Sequence, residues 1–179
     1  MSEILLHRTR ADQALPVYAQ FIEEFPSCAD IVRNGTRVRG LLKALGLHWR
    51  TVLLLEMARE IESRFGGAIP ADPESLRSLP GVSDYISEAV RCFAFGFPAV
   101  LLDTNITRIV GRLEGLPIND SARRSSRYRL ELQRLLPSGG SRNAYLALID
   151  IGAAVCRPTH PSCPQCPFED LCQYAAGLD

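Results

Sequence analysis

Two segments with helical spacing are joined by Leu79-Pro80-Gly81-Val82, and this junction restricts the chain more than any other stretch. Proline cannot continue a helix, and glycine takes the backbone angles that a tight reversal demands. Ser83 or Asp84 then caps the helix that restarts. Residues 79–103 therefore read as a turn, a helix, a short apolar run (Ala99-Val100-Leu101-Leu102) and an acid, Asp103. Such a turn directs backbone amides and a helix N-terminus outward, which suits a phosphate. An ordinary helix–turn–helix connection has the same form.

Helical spacing recurs over residues 17–25, 29–33, 38–45, 47–65, 86–95, 108–115, 128–136 and 144–156. Breaks fall at Pro26, Asn34-Gly35, Gly46, Gly66-Gly67 and residues 137–141. Ala99–Leu102 could pass for a strand. The chain's 179 residues, 46% hydrophobic and 22% charged, can bury a sizeable core. No apolar run reaches eighteen residues and no secretory leader opens the chain, so an intracellular (cytoplasmic) protein without a membrane partner is expected.

Formal net charge is zero, but the charge is patchy. Arg33, Arg37, Arg39, Lys43 and Arg50 follow one another with no acid between them. Residues 104–142 hold eight arginines against Glu114, Asp120 and Glu131, while acids gather between residues 51 and 80. A one-sided contact with a polyanion needs this pattern, and a solvated surface also produces it. Lys43 is the sole lysine among twenty basic side chains. Arginine forms no Schiff base at ordinary pH, so a covalent lysine mechanism has only Lys43 to use.

Cys156, Cys163, Cys166 and Cys172 are spaced C-x6-C-x2-C-x5-C within the last 24 residues. In a reducing compartment that favours a metal site over disulfides. Four thiolates can hold zinc tetrahedrally or a [4Fe–4S] cluster, and chelation alone does not separate the two. Cys28 and Cys92 lie apart in apolar surroundings and read as core residues.

Together, the turn at 79–82, Asp103 and the cysteine spacing resemble the helix-hairpin-helix DNA glycosylases of the endonuclease III superfamily, over nearly the whole chain. The resemblance implies an all-α fold of two helical lobes with the active site between them. Residues 1–100 would form one lobe, containing the helix-hairpin-helix at about 74–95 and lacking a helix that relatives carry upstream. Residues 101–179 would carry the catalytic Asp helix and the cluster lobe. The cysteine spacing is similar to the family's in every interval, which implies a [4Fe–4S] cluster on Cys156, Cys163, Cys166 and Cys172. The cluster would staple the tail and position the loop 157–162, where Arg157 and His160 would meet DNA phosphates. Leu79, Pro80, Gly81, Val82 and Ser83 would contact the DNA backbone, with a monovalent cation on the hairpin carbonyls. Ser83 replaces a second glycine usual in relatives, and Asp84 replaces a basic or neutral residue.

In bifunctional endonuclease III enzymes a lysine stands four residues after the hairpin glycine and attacks the sugar. Here that position is Tyr85, and a phenol cannot form an imine. Asp103 matches the acid that the family uses, and taken alone it also reads as a helix cap. Cleaving an N-glycosidic bond builds positive charge on the sugar, which a fixed carboxylate stabilises or uses to activate water. With an ordinary pKa near ~3.9 it would be ionised at neutral pH. Asn105 resembles the Asn of the adenine-glycosylase pattern Asp-Gly-Asn, with Thr104 in place of Gly. Glu3 falls where relatives keep an acid facing the base, and Arg8 and Thr9 where side chains fill the gap left by a flipped nucleotide. Trp49 is expected in the core or at its rim.

The resemblance implies a monofunctional DNA glycosylase of base excision repair, acting as a monomer on double-stranded DNA with a mismatch or lesion, most similar to the thymine (or uracil)–guanine enzymes. The alternative is an adenine glycosylase acting opposite guanine or 8-oxoguanine. Against that, the sequence ends seven residues after Cys172, without the further domain such enzymes use to read oxidised guanine. A non-catalytic lesion-binding module is the alternative of another class.

Overall fold

The structure, a computed structural model, describes residues 11–43, 45–46, 48–136 and 140–177. The expectations placed on Glu3, Arg8 and Thr9 lie outside them. Among the described residues the chain is all-α, and the one β feature is an isolated antiparallel bridge between Ala99 and Gly140. Contacts divide the chain into two units, one ending at Ser87 and one beginning at Glu88.

The first unit holds α1 (Ala11–Glu24), α2 (Cys28–Arg33), α3 (Gly35–Lys43), α4 (His48–Phe65) and α5 (Pro73–Arg77). Ser27 opens α2 with a capping box, its side chain accepting from Asp30 N while Asp30 accepts from Ser27 N. Asn34 closes that helix and α3 restarts at once, so the break expected at Asn34-Gly35 is a change of helix with no loop. Phe21 and Phe25 meet edge to face at 5.1 Å, and with Val38, Leu42, Leu54, Leu55 and Ala58 they form this unit's core. Cys28 is packed against this core as expected, although only half-buried. Trp49 is 59% exposed on the first turn of α4 and does not join it.

The helix α6 (Asp84–Phe95) begins in the first unit and ends in the second. The second unit continues with α7 (Thr104–Leu113), a 3-10 turn (Ala122–Arg124), α8 (Ser126–Leu135), α9 (Arg142–Ala154), 3-10 turns at Cys163–Gln165 and Glu169–Leu171, and α10 (Gln173–Ala176). Its centre is α7, buried from Ile106 to Leu113. Gly152 lets α9 lie close along it: a Cβ there would stand 2.7 Å from the Cβ of Asn105.

Within the extended residues 99–102, Ala99 pairs its N and O with Gly140 at 3.4 and 3.2 Å, and Tyr145 of α9 reaches the same segment. Tyr145, fully buried, donates its hydroxyl to Ala99 O at 2.7 Å and accepts from Leu101 N at 3.0 Å. One side chain thus satisfies two buried backbone groups just ahead of Asp103. Tyr145→Phe leaves Leu101 N without a partner and removes one of the two donors to Ala99 O, which Gly140 N also reaches at 3.2 Å. It is expected to lower stability by about 1–3 kcal/mol, measured by urea unfolding.

Candidate functional site

The sequence-derived turn between α5 and α6 lies in the first unit. Asp72 caps α5 by accepting from Ser75 N at 2.7 Å, and Pro73 takes the first helical position. The chain leaves through Ser78 and the buried Leu79, and Val82 N closes the turn on Leu79 O at 3.2 Å. Gly81 sits at φ +77°, where a side chain would be strained and a Cβ would also press on Leu53 at 3.2 Å. Ser83 proves to be the cap of α6, its hydroxyl accepting from Ile86 N at 3.3 Å. Asp84 is exposed and lies 3.7 Å from Arg77, which partly offsets the negative charge it adds to the turn. Tyr85 follows in the first turn of α6, half-buried.

In the second unit Asp103 is the N-cap of α7, Oδ1 accepting from Ile106 N at 2.7 Å. It is also largely withdrawn from water. Burial pushes its carboxyl above the ordinary aspartate range, against the backbone N–H groups of Ile106 and Asn105 and the charges of Arg108 and Arg123, which pull it down. The expectation of an unperturbed carboxyl is therefore corrected: burial makes this group a stronger base than a surface aspartate.

One turn on, Arg108 is 6% exposed and fully engaged. Its Nη2 donates to Asn105 Oδ1 at 2.8 Å and to Gly152 O at 2.7 Å, and its Nε donates to Cys156 O at 2.7 Å. Asn105 is thereby oriented by a buried cation, with its carbonyl oxygen occupied. Arg112, a further turn along, donates from Nη1 to Arg157 O at 2.8 Å and from Nη2 to Pro158 O at 3.0 Å. Its Nη1 also lies 3.3 Å from Cys156 Sγ, and its guanidinium stacks 4.6 Å from the Tyr174 ring centroid.

None of the four clustered cysteines forms a disulfide, and with Arg112 and Tyr174 they line one pocket. Burial raises the Cys163 thiol, and the neighbouring Cys172 and Cys156 sulfurs raise it further. A cationic centre would relieve that crowding of sulfur, so the donor set fits a thiolate-bound metal group. Among the described residues, however, no three His, Cys, Asp or Glu side chains gather as ligands of one metal ion. His160 stands at φ +48° in the connecting loop, where Arg157 Nη2 donates to His160 O at 2.8 Å and to Ser162 Oγ at 3.3 Å. The Arg157 guanidinium thus shapes the loop from within, while both residues remain exposed.

The chain is 33% identical to a thymine-DNA glycosylase from Aeropyrum pernix, over 97% of this chain and 80% of that one. It belongs to the helix-hairpin-helix DNA glycosylases of the endonuclease III superfamily. It is also 30% identical to the human adenine DNA glycosylase, over 97% of this chain and 32% of that protein. A solved thermostable thymine-DNA glycosylase superposes with a TM-score of 0.88 at 31% identity, covering 98% of this chain and 82% of that one. Endonuclease III, solved in a non-covalent complex with DNA, shares the fold at a TM-score of 0.83 and 22% identity. No family model matches the chain.

Sequence reasoning missed Arg108, Arg112 and Tyr145 in this glycosylase. Their signal was faint: two arginines at i and i+4 on an otherwise apolar helix, in a run of arginines that reads as surface. Arg108→Leu removes the donor to two buried carbonyls. It is expected to cost about 1–3 kcal/mol for each carbonyl left unsatisfied, whereas the exposed Arg142→Leu should stay within about 0.5 kcal/mol, both by urea unfolding.

Proposed function

We propose that this glycosylase is monofunctional and hydrolyses the N-glycosidic bond of thymine or uracil opposite guanine in duplex DNA. The observation that carries this reading is similarity to thymine-DNA glycosylases, in sequence and in fold, across most of both chains. Asp103 is assigned as the carboxylate that faces the sugar. As the cap of α7 it is held by backbone N–H groups at the start of the helix, which fixes the carboxylate for the developing cation or its attacking water. Tyr85 is assigned to the base pocket and supplies no amine, so strand cleavage through an imine is not expected. Leu79, Pro80, Gly81, Val82 and Ser83 are assigned to the DNA backbone, together with Arg157 and His160.

The four cysteines are assigned to a [4Fe–4S] cluster. Each iron of a cluster takes one thiolate, so the sulfurs can stand apart around a shared pocket. The support for this reading is the C-x6-C-x2-C-x5-C spacing and the one pocket that the four cysteines line with Arg112 and Tyr174. When bound, the cluster would fix the C-terminal tail and the loop 157–162. An adenine substrate is the second reading, favoured by Asn105 two residues after Asp103 and by the similarity to the human adenine glycosylase.

Single-turnover assays on T·G, U·G, A·G and A·8-oxoguanine duplexes test this directly. Breaks at T·G or U·G only after alkali are expected; breaks at the adenine duplexes would promote the second reading, and breaks without alkali would refute a monofunctional enzyme. The reactive form of Asp103 is the ionised one, and burial raises its pKa. The rate should therefore be full above that raised value and fall as pH drops through it, with an acid limb above ~3.9. A limb at or below that value would contradict the buried carboxylate.

A further inference from the structure

The eight arginines of residues 104–142 are not equivalent in the structure. Arg108 and Arg112 are buried and bonded, and Arg134 pairs with Glu131 at 2.9 Å. Arg123, Arg124, Arg127, Arg129 and Arg142 are exposed and form no ion pair among the described residues. Arg123 and Arg124 sit on the 3-10 turn (Ala122–Arg124), and Arg127 follows in the first turn of α8. Asp120 is the only acid in residues 117–130.

That turn is held rigidly. Asn119 Oδ1 accepts from Ser121 N at 3.1 Å, from Ser121 Oγ at 2.7 Å and from Ala122 N at 3.2 Å. Ala122 is 2% exposed, and the turn packs against α7, the helix that Asp103 opens. Tyr128, 4% exposed, fixes the other side by donating to Pro117 O at 2.9 Å. An arginine on a flexible loop must give up conformational freedom to bind, whereas a pre-ordered one loses less. The Arg123 charge also reaches Asp103, where it helps hold the carboxylate ionised.

We propose that Arg123, fixed on the 3-10 turn beside the Asp103 helix, binds a phosphate flanking the nucleotide whose glycosidic bond Asp103 faces. Arg124 and Arg127 extend the same cationic track along the strand. This rests on the assignment of Asp103 above. The reacting sugar and its phosphates belong to one nucleotide, so gripping the phosphate fixes where C1′ lies relative to the carboxylate. The planar guanidinium can hold two phosphate oxygens at once, which a point charge cannot do.

The test uses the full chain and a duplex carrying a tetrahydrofuran abasic-site analogue, which has no base and cannot be turned over. Affinity is measured against salt concentration. Arg123→Gln is expected to reduce the slope of log K against log salt by about 0.9, the value of one phosphate contact. Arg123→Lys should keep the slope, because the charge remains, and still lower the single-turnover excision rate, because the fork is lost. Arg134→Gln, which removes a cation already paired, should leave the slope unchanged. An unchanged slope in Arg123→Gln, or an equal fall in Arg134→Gln, would overturn the proposal, as would an unaltered excision rate in Arg123→Lys. The binding measurement does not depend on which base is excised, so failure on T·G and U·G would refute the proposed substrate and leave the Arg123 result standing.

Discussion

The second unit depends on one buried cation. Arg108 crosses from α7 to α9 and the start of the cysteine loop, donating to the carbonyls of Gly152 and Cys156 while it orients Asn105. Those carbonyls belong to the C-terminal end of α9, where helix acceptors lack intrahelical partners and favour a positive charge. Burial works against the cation and pulls its pKa down, and the Arg112 charge adds to that; Cys156 and Asp103 oppose it. Arg112 repeats the arrangement one turn later on Arg157 and Pro158. The helix that begins with Asp103 is thus bolted to the segment that carries Cys156, the first of the four C-terminal cysteines.

Asp103 combines two requirements that usually conflict. A cap residue accepts from backbone amides, which favours the ionised form, whereas a buried carboxyl resists ionisation. Here burial is the larger effect, and the amides with Arg108 and Arg123 temper it. The result is a carboxylate that is fixed in place and more basic than a surface one. Tyr145 adds to this by tying down the extended residues just ahead of it.

Much of this was legible in the sequence, for identifiable reasons. Pro80 and Gly81 have few backbone options, so the hairpin could be placed to the residue, and the cysteine spacing marked the C-terminal pocket. Helices were found by periodicity, although α3 began at Gly35, three residues before the expected 38, because the chain passes directly from one helix to the next. Trp49 stands 59% exposed while Arg50 and Thr51 in the same turn are buried, so residue type alone did not show which side of α4 meets the core. The roles of Arg108 and Arg112 were hidden because their partners are backbone carbonyls more than forty residues away, which carry no side-chain signature. The raised pKa of Asp103 was hidden likewise, since burial is a property of the packed unit.

Asp103→Asn offers the most direct measurement. Asparagine is as good an N-cap as aspartate and carries no charge, so α7 should keep its start and the protein its melting temperature. Base excision under single-turnover conditions should disappear while binding to the abasic-site duplex persists. Excision at the wild-type rate by a normally folded Asp103→Asn protein would show that Asp103 is a helix cap alone and contradict its assignment as the catalytic carboxylate.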